Sequence, residues 1–433
     1  MKALSEDADC LWLDPATGVR VTYGELREQA GLEEVEWRPW LCPETPGEAV
    51  LGLLTALLIG QELTLVDADL SAEEARAVGA TQERLAEVRR VPGRRFESAA
   101  TMIDRIREEW KAGVAAGFRL TLFTSGSTGL PKQVTHRLDG LARMLRLGER
   151  HREDVWGLAY NPTHIAGVQV ILQAFFNGNV LVHLFGLEPA KVWSEVSLAG
   201  ISHLSATPSF YRMLLAVAEA KSNSNEASIA CGVRAITLGG ERSDEGLRLR
   251  LAACFPAAKI RNVYASTEAG ALFASEGDIF TLSTDLVGKV RIVDGELQVA
   301  SALLGEFAGG VAASTDGWYR TGDTVELVSN EPLRWRIMSR QRDWVNVGGH
   351  KVNPAEVEAV LLAYPGVREA RVYGRDNSVL GQILCAEVVA ASTPEEVDLR
   401  TYLAERLQGA KVPRLIRVVD RIARGRTGKQ AGA

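Results

Sequence analysis

The chain has 433 residues, 46% of them hydrophobic and 24% charged, with a formal net charge of −6. This balance describes a globular protein, and the length exceeds what one hydrophobic core serves, so two or more packed units are expected. The mild acidity and the lack of a long basic block argue against nucleic acid as a partner, and no apolar run of 18 residues offers a membrane span.

The opening stretch MKALSEDADCLWLD is acidic and lacks a signal-type apolar core, and the five cysteines form no CxxC pair. Both features predict a cytoplasmic, reducing setting. Residues 47–68 read as a buried helix running into a strand. Residues 72–115 read as charged and helical, through AEEARA, RLAEVRR and MIDRIREEW. From there VWGLAYNP, GNVLVHLF, ISHLSATP, RAITLGG and IRNVYAS resemble short buried strands, separated by helical stretches such as VQVILQAFF and SFYRMLLAVAEAK. Such alternation predicts an α/β core with a largely parallel sheet covered on both faces and a ligand at the carboxyl ends of its strands. KSNSNEAS reads as a surface loop. After residue 280, LVGKVRIVDGELQVAS and GWYRTGDTVELV carry the period-two alternation of antiparallel strands. Beyond Arg342 a compact α+β module is expected: a helix with Pro354 at its start, strands in REARVYGR and GQILCAEVVA, a helix in VDLRTYLAERL and a closing strand in LIRVVD.

One stretch stands apart. TLFTSGSTGLPKQVTH, Thr121–His136, follows a β-type run with glycines and hydroxyls, then Pro131 and Lys132. It is not a Walker A loop, because Pro131 separates Gly129 from Lys132 where that motif needs Gly-Lys-Ser/Thr entering a helix. Glycines still allow backbone N–H groups to approach phosphate oxygens, the hydroxyls donate further bonds and Lys132 adds a charge. By itself the stretch reads equally well as a linker.

Its company is more specific. NPTHIAG (Asn161–Gly167), SATPS (Ser205–Ser209), LGGE (Leu238–Glu241), VYASTEAG (Val263–Gly270), WYRTGD (Trp318–Asp323), SRQRDWVNVGGHKVNPAEVE (Ser339–Glu358) and GRTGK (Gly425–Lys429) follow in that order. From about residue 120 onward the series resembles the adenylate-forming superfamily of acyl- and aryl-CoA ligases, peptide-synthetase adenylation domains and luciferases. The spacing is similar to that of the compact O-succinylbenzoate-CoA ligases. The resemblance implies a large N-terminal adenylation core over 1–338, shortened at its start and carrying a small β subdomain. It implies a small mobile α+β C-terminal domain over 339–433, hinged near Arg342. It also implies attack of a substrate carboxylate on the α-phosphorus of ATP, then thioester formation.

Roles carry over motif by motif. Thr124, Ser125, Gly126, Ser127, Thr128, Gly129 and Lys132 match the loop that holds the β- and γ-phosphates. Glu268 matches the Mg²⁺-associated glutamate, with Thr128 as a second metal contact, and Thr267 matches a nucleotide contact. Tyr264, beside Ala265, would stack on adenine. Asp323 would accept bonds from both ribose hydroxyls, as one carboxylate can, and Arg340 would support the same edge. Lys429 matches the lysine that bonds the carboxylate and α-phosphate oxygens. His164 corresponds to the histidine lining the carboxylate and thiol channel. The other histidines (His136, His151, His183, His203, His350) lack such context, though His136 follows the phosphate loop. Gly239 and Gly240 would let backbone approach the acyl group, and Val347, Gly348 and Gly349 would line the thiol tunnel after domain rotation.

Gln133 and Ala265 stand where glycines are usual, and neither change removes a reacting group. NPTHIAGVQV carries no acid to pair with a substrate ammonium, so an aryl or compact acyl acid is expected rather than an amino acid. The implied cofactors are ATP, Mg²⁺ and CoA or phosphopantetheine. The implied partners are a small carboxylic acid and CoA or an acyl or aryl carrier protein. Three readings stand: a carboxylate–CoA ligase, an adenylation enzyme that loads a carrier protein, and a non-catalytic nucleotide-binding relative. The presence of Lys132, Glu268, Asp323 and Lys429 weighs against the last.

Overall fold

The computed structural model describes residues 8–113, 117–124, 131–221, 232–308, 316–340, 344–347, 350–377, 381–390, 396–407 and 409–422. Four larger sheets organise them. The first has eight strands in the spatial order Gly270–Ser275, Lys259–Ser266, Ala235–Gly239, His203–Ala206, Val155–Leu158, Val180–His183, Cys10–Leu13 and Arg20–Thr22. Its middle strands run parallel, and only the outermost strand on each side is antiparallel to its neighbour. All five strands expected between residues 155 and 266 are present. The N-terminal strand Cys10–Leu13 extends this sheet beside Val180–His183.

The second sheet runs Glu306–Phe307, Lys132–His136, Arg119–Thr124, Glu62–Leu65, Trp40–Leu41. Helix Pro46–Ile59, capped by Thr45 and closed by Gly60 in the left-handed conformation, leads into its strand Glu62–Leu65, as the sequence predicts. Helix Ile165–Asn177 is buried along nearly its whole length. It shares one core with side chains of both sheets, among them Leu63, Leu120, Leu158 and Leu181. Its one polar stripe, Gln169, Gln173 and Asn177, donates to the carbonyls of Leu141 and Arg146, so the helix can lie buried between layers.

The third sheet is antiparallel: Ile279–Thr281, Leu333–Arg340, Trp318–Asn330, Glu296–Ala300, Val290–Val293. Trp335 fills its core against Phe273 and Phe280. The fourth sheet joins Val345–Val347, His350–Val352, Gly381–Ala390, Val367–Asn377 and Leu415–Val418 with helices Pro354–Leu362 and Glu396–Ala404. Val357, Leu361, Leu384, Val388, Leu399 and Leu403 make up much of its apolar centre.

One expectation is corrected. RLAEVRR is not helical throughout: the helix stops at Ala86, and Arg89–Pro92 pairs antiparallel with Glu34–Trp37. EVEW alternates exposed and buried positions and offers an edge, and Val91 lies opposite Val35. KSNSNEAS falls almost wholly outside the described residues. Among those described, no helix is long and apolar enough to cross a membrane. Cys10, Cys42, Cys254 and Cys385 are free thiols.

Candidate functional site

The stretch expected to hold phosphate is flanked by the two strands of a hairpin. Arg119–Thr124 and Lys132–His136 pair antiparallel, with Thr124 opposite Lys132, so the elements on either side of the expected phosphate loop are two partnered strands rather than a strand and a helix. Ser125, Gly126, Ser127, Thr128 and Gly129 lie outside the described residues, as does the Thr124 side chain. Lys132 is exposed at the start of the second strand.

His136 anchors this hairpin. Only 1% exposed, its Nε2–H donates to the Thr267 carbonyl at 2.6 Å. Burial pushes the imidazole pKa down, the Thr267 bond pulls it back in part, and the net effect favours the neutral ring. Arg143 donates to the Ala269 carbonyl at 2.9 Å, and Gly305 N–H donates to the Glu268 carbonyl at 2.8 Å. The turn Thr267–Ala269 is thereby held against the hairpin from three directions. Gly270 closes the turn at φ 69°, and a Cβ there would stand 2.9 Å from the Gly140 carbonyl oxygen. The close approach and the backbone angle both call for glycine. Glu268, half-buried in this turn, is set beside the hairpin that bears Lys132.

Upstream of the turn, Tyr264 donates its hydroxyl to Asp323 Oδ2 at 2.6 Å and packs its ring 5.6 Å from Phe273. Asp323 is 4% exposed and takes its place from Trp318–Asn330, where its backbone faces Arg340 across the pair. The structure therefore brings Tyr264, Ala265, Thr267, Glu268 and Asp323 together with the hairpin. The strand Lys259–Ser266 bulges between Tyr264 and Ala265. The Arg340 side chain, Gly348, Gly349, Arg342 and Lys429 lie outside the described residues.

His164 follows the strand Val155–Leu158 of the parallel sheet. It starts helix Ile165–Asn177, and its Nε2–H donates to Asp67 Oδ2 at 2.8 Å. Asn161 Nδ2 donates to the same oxygen at 3.2 Å, while Asn161 Oδ1 accepts from the Thr163 amide and hydroxyl. A Cβ at Gly167 would collide with the Asn161 carbonyl, so this turn packs as tightly as its glycine allows. Gly239 ends its strand with its carbonyl accepting from the buried Tyr160 hydroxyl at 3.2 Å, and Gly240 follows at φ 82°. Burial, first of all, pushes the Tyr160 phenol well up, so it stays protonated as a donor. Glu241 accepts from the Ser209 amide at 3.0 Å, at the start of helix Pro208–Lys221.

Asp67, His136 and Tyr160 were not singled out as site residues from the sequence. His136 had one available signal, its place after the loop, whereas Asp67 reaches its partner across 97 positions.

A further cluster lies at the other end of the parallel strands. Asp154, 2% exposed, receives His151 Nδ1 at 3.0 Å, His203 Nε2 at 3.3 Å and Arg234 at 2.9 Å. Among the described residues these two histidines and Asp154 are the group whose donor atoms could hold a metal ion. His151 and Arg234 hydrogen-bond one carboxylate oxygen each, His203 Nε2 stands beside them, and the cluster reads as a buried structural network. Burial, offset by Asp154, pushes the His203 imidazole down to about 4.

Comparison with known proteins places this geometry. Residues 56–302 match the family model described as AMP-binding enzyme, and residues 356–429 match that of the AMP-binding enzyme C-terminal domain. A 2-succinylbenzoate–CoA ligase of Listeria monocytogenes is 26% identical, over 74% of this chain and 70% of its own. One from Bacillus cytotoxicus is 25% identical over 86% and 81%. Among solved structures, ATP-bound MatB from Rhodopseudomonas palustris shares the fold with a TM-score of 0.70 at 19% identity, covering 99% of this chain and 94% of that one. The o-succinylbenzoate CoA synthetase of Bacillus subtilis, with its acyl-adenylate, has a TM-score of 0.65 at 20% identity over 98% and 93%. The fold is that of the adenylate-forming enzymes, and the chain belongs to the AMP-binding enzyme family.

Proposed function

We propose that this chain activates a carboxylic acid with ATP, forming an acyl-adenylate and pyrophosphate, and transfers the acyl group to the thiol of CoA. The relatives' names, which are those of CoA ligases, support this reading. The observation that carries it is the docking of the hairpin strands Arg119–Thr124 and Lys132–His136 onto the Glu268 turn through His136, beside the hydrogen bond from Tyr264 to the buried Asp323.

A carboxylate is a poor acylating agent because its leaving group is poor, and adenylation replaces that group with AMP. The transition state concentrates negative charge on phosphate, so the protein's work is positioning and electrostatic stabilisation. Lys132 and the hairpin tip would hold the β- and γ-phosphates. Asp323 would accept the ribose hydroxyls and Tyr264 would lie against adenine. Arg340 would support that edge, and Lys429 would bond the α-phosphate and substrate carboxylate. His164, Gly239 and Gly240 would border the acyl group, and Gly348 and Gly349 the thiol. The donor set fits Mg²⁺, which takes one or two carboxylates and otherwise water and substrate phosphate; Glu268 is the described carboxylate, and Thr128 would add a hydroxyl. Bound there, the ion would neutralise phosphate charge. We further propose a division into 1–338 and 339–433, hinged near Arg342, in a cytoplasmic enzyme acting on an aryl or compact acyl acid.

The test is pyrophosphate release from ATP and Mg²⁺ against a panel of such acids, with and without CoA, beside a Lys429→Ala variant. Release with one acid that collapses in the variant supports the reading. Consumption of CoA, compared with loading of a carrier-protein phosphopantetheine, identifies the acceptor. ATP binding with no release across the panel overturns it.

A further inference from the structure

We infer that Asp67 is a positioning residue: it holds the His164 imidazole in its Nε2–H tautomer at the edge where the two α/β sheets meet, and acts on the reaction through that ring. The inference rests on the proposed function for its catalytic consequence and on the geometry alone for the positioning.

Asp67 lies just past the strand Glu62–Leu65, which runs parallel to Arg119–Thr124 with Thr64 beside Thr121. Because the two strands run parallel, Asp67 leaves the sheet at the same edge as Thr124, the C-terminal end of both strands. His164 emerges from the other sheet, after the strand Val155–Leu158. The 2.8 Å bond between them therefore links the sheet that carries the hairpin to the sheet that carries Gly239 and Gly240.

The carboxylate is itself fixed. Its Oδ1 accepts from the Asp69 amide at 3.1 Å, the Leu70 amide donates to its backbone carbonyl at 3.2 Å, and Oδ2 takes both His164 and Asn161. A carboxylate has only acceptor atoms, so the imidazole nitrogen facing it must carry hydrogen. In a neutral ring that leaves Nδ1 as the acceptor, and the choice of tautomer is made by Asp67. The turn that carries His164 does not depend on this bond for its shape, because Asn161 Oδ1, Thr163 and the close packing at Gly167 define it. Removing Asp67 releases the ring and one Asn161 N–H, while Asn161 Oδ1 still accepts from Thr163 and holds the turn. Misplacing a group that borders the reacting atoms by about 1 Å can cost on the order of a hundredfold in rate.

The experiment has two arms on the intact chain. In protein with ¹⁵N-labelled histidine, ring ¹⁵N–¹H spectra at neutral pH, assigned by loss of signals in His164→Ala, report the tautomer with or without turnover. The Nε2–H form in the wild type, averaged in Asp67→Ala, supports the inference; an Nδ1–H ring, or a spectrum indifferent to Asp67→Ala, overturns it. In the second arm, kcat and KM for acid, ATP and CoA are measured for Asp67→Ala, His164→Ala and the double variant. Each single change should lower kcat/KM for the acid about tenfold to a hundredfold, with the KM for ATP within about twofold. The double variant should be no worse than about twofold below His164→Ala. Multiplying effects, or a loss in Asp67→Ala matched by a loss of melting temperature, would assign Asp67 a structural role instead. A wild type that yields no AMP counts against the proposed function, while the ring spectra still decide the positioning.

Discussion

Replacing Tyr264 by Phe removes one oxygen and little else. The ring keeps its place 5.6 Å from Phe273, so no cavity opens. What goes is the 2.6 Å bond to Asp323, a carboxylate only 4% exposed. A hydrogen bond to a buried charged acceptor is worth about 1.5–3 kcal/mol, so the free protein should lose about 2 kcal/mol of stability. If Asp323 receives ribose, the nucleotide supplies a hydroxyl donor in place of the lost phenol. Saturating ATP should then stabilise the variant more than the wild type, with apparent affinity held or raised by up to about fivefold. Urea denaturation with and without ATP, with calorimetric titration of ATP, measures both quantities. A stability within about 0.5 kcal/mol of wild type, or an ATP affinity lowered more than about tenfold, would refute the reasoning.

Gly270→Ala sets a Cβ 2.9 Å from the Gly140 carbonyl oxygen at φ 69°, and should cost about 1–3 kcal/mol in denaturation and lower kcat by displacing Glu268. Asp154→Ala strips His151, His203 and Arg234 of their shared acceptor, and should cost about 1–3 kcal/mol without changing the KM for ATP. Burial holds His136 and His203 below the ordinary histidine value of 6.5, His203 at about 4. As pH falls below that value the unfolded chain takes up protons first, so the contribution of these rings is complete above pH 6.5 and is lost toward pH 4. The melting temperature should drop across this window, and His203→Gln should flatten the slope.

The layered core is legible in the sequence because parallel strands covered on both faces tend to be short and apolar, as VWGL is throughout and VLVH is up to its last residue. The motif residues were legible from their order, since Glu268, Asp323 and Lys132 each sit in a distinctive local string. The short strands Cys10–Leu13 and Arg89–Pro92 were not, since their partners, Val180–His183 and Glu34–Trp37, lie far along the chain. Nor were the contacts that fasten the site together. His136 meets Thr267 across 131 positions and Asp67 meets His164 across 97, and neither pairing leaves a local pattern. The string TSGSTG alone left a linker and a close-approach loop open; that two antiparallel strands flank it came from the register of Thr124 with Lys132.

The central claim is that a substrate carboxylate attacks the α-phosphorus of ATP in this site. An accepted acid labelled with ¹⁸O in its carboxylate, incubated with ATP, Mg²⁺ and CoA, tests it most directly through the mass of the nucleotide product. The account predicts AMP carrying one ¹⁸O atom together with an acyl-CoA that retains the other. ADP and phosphate as products, or AMP free of label, would contradict it.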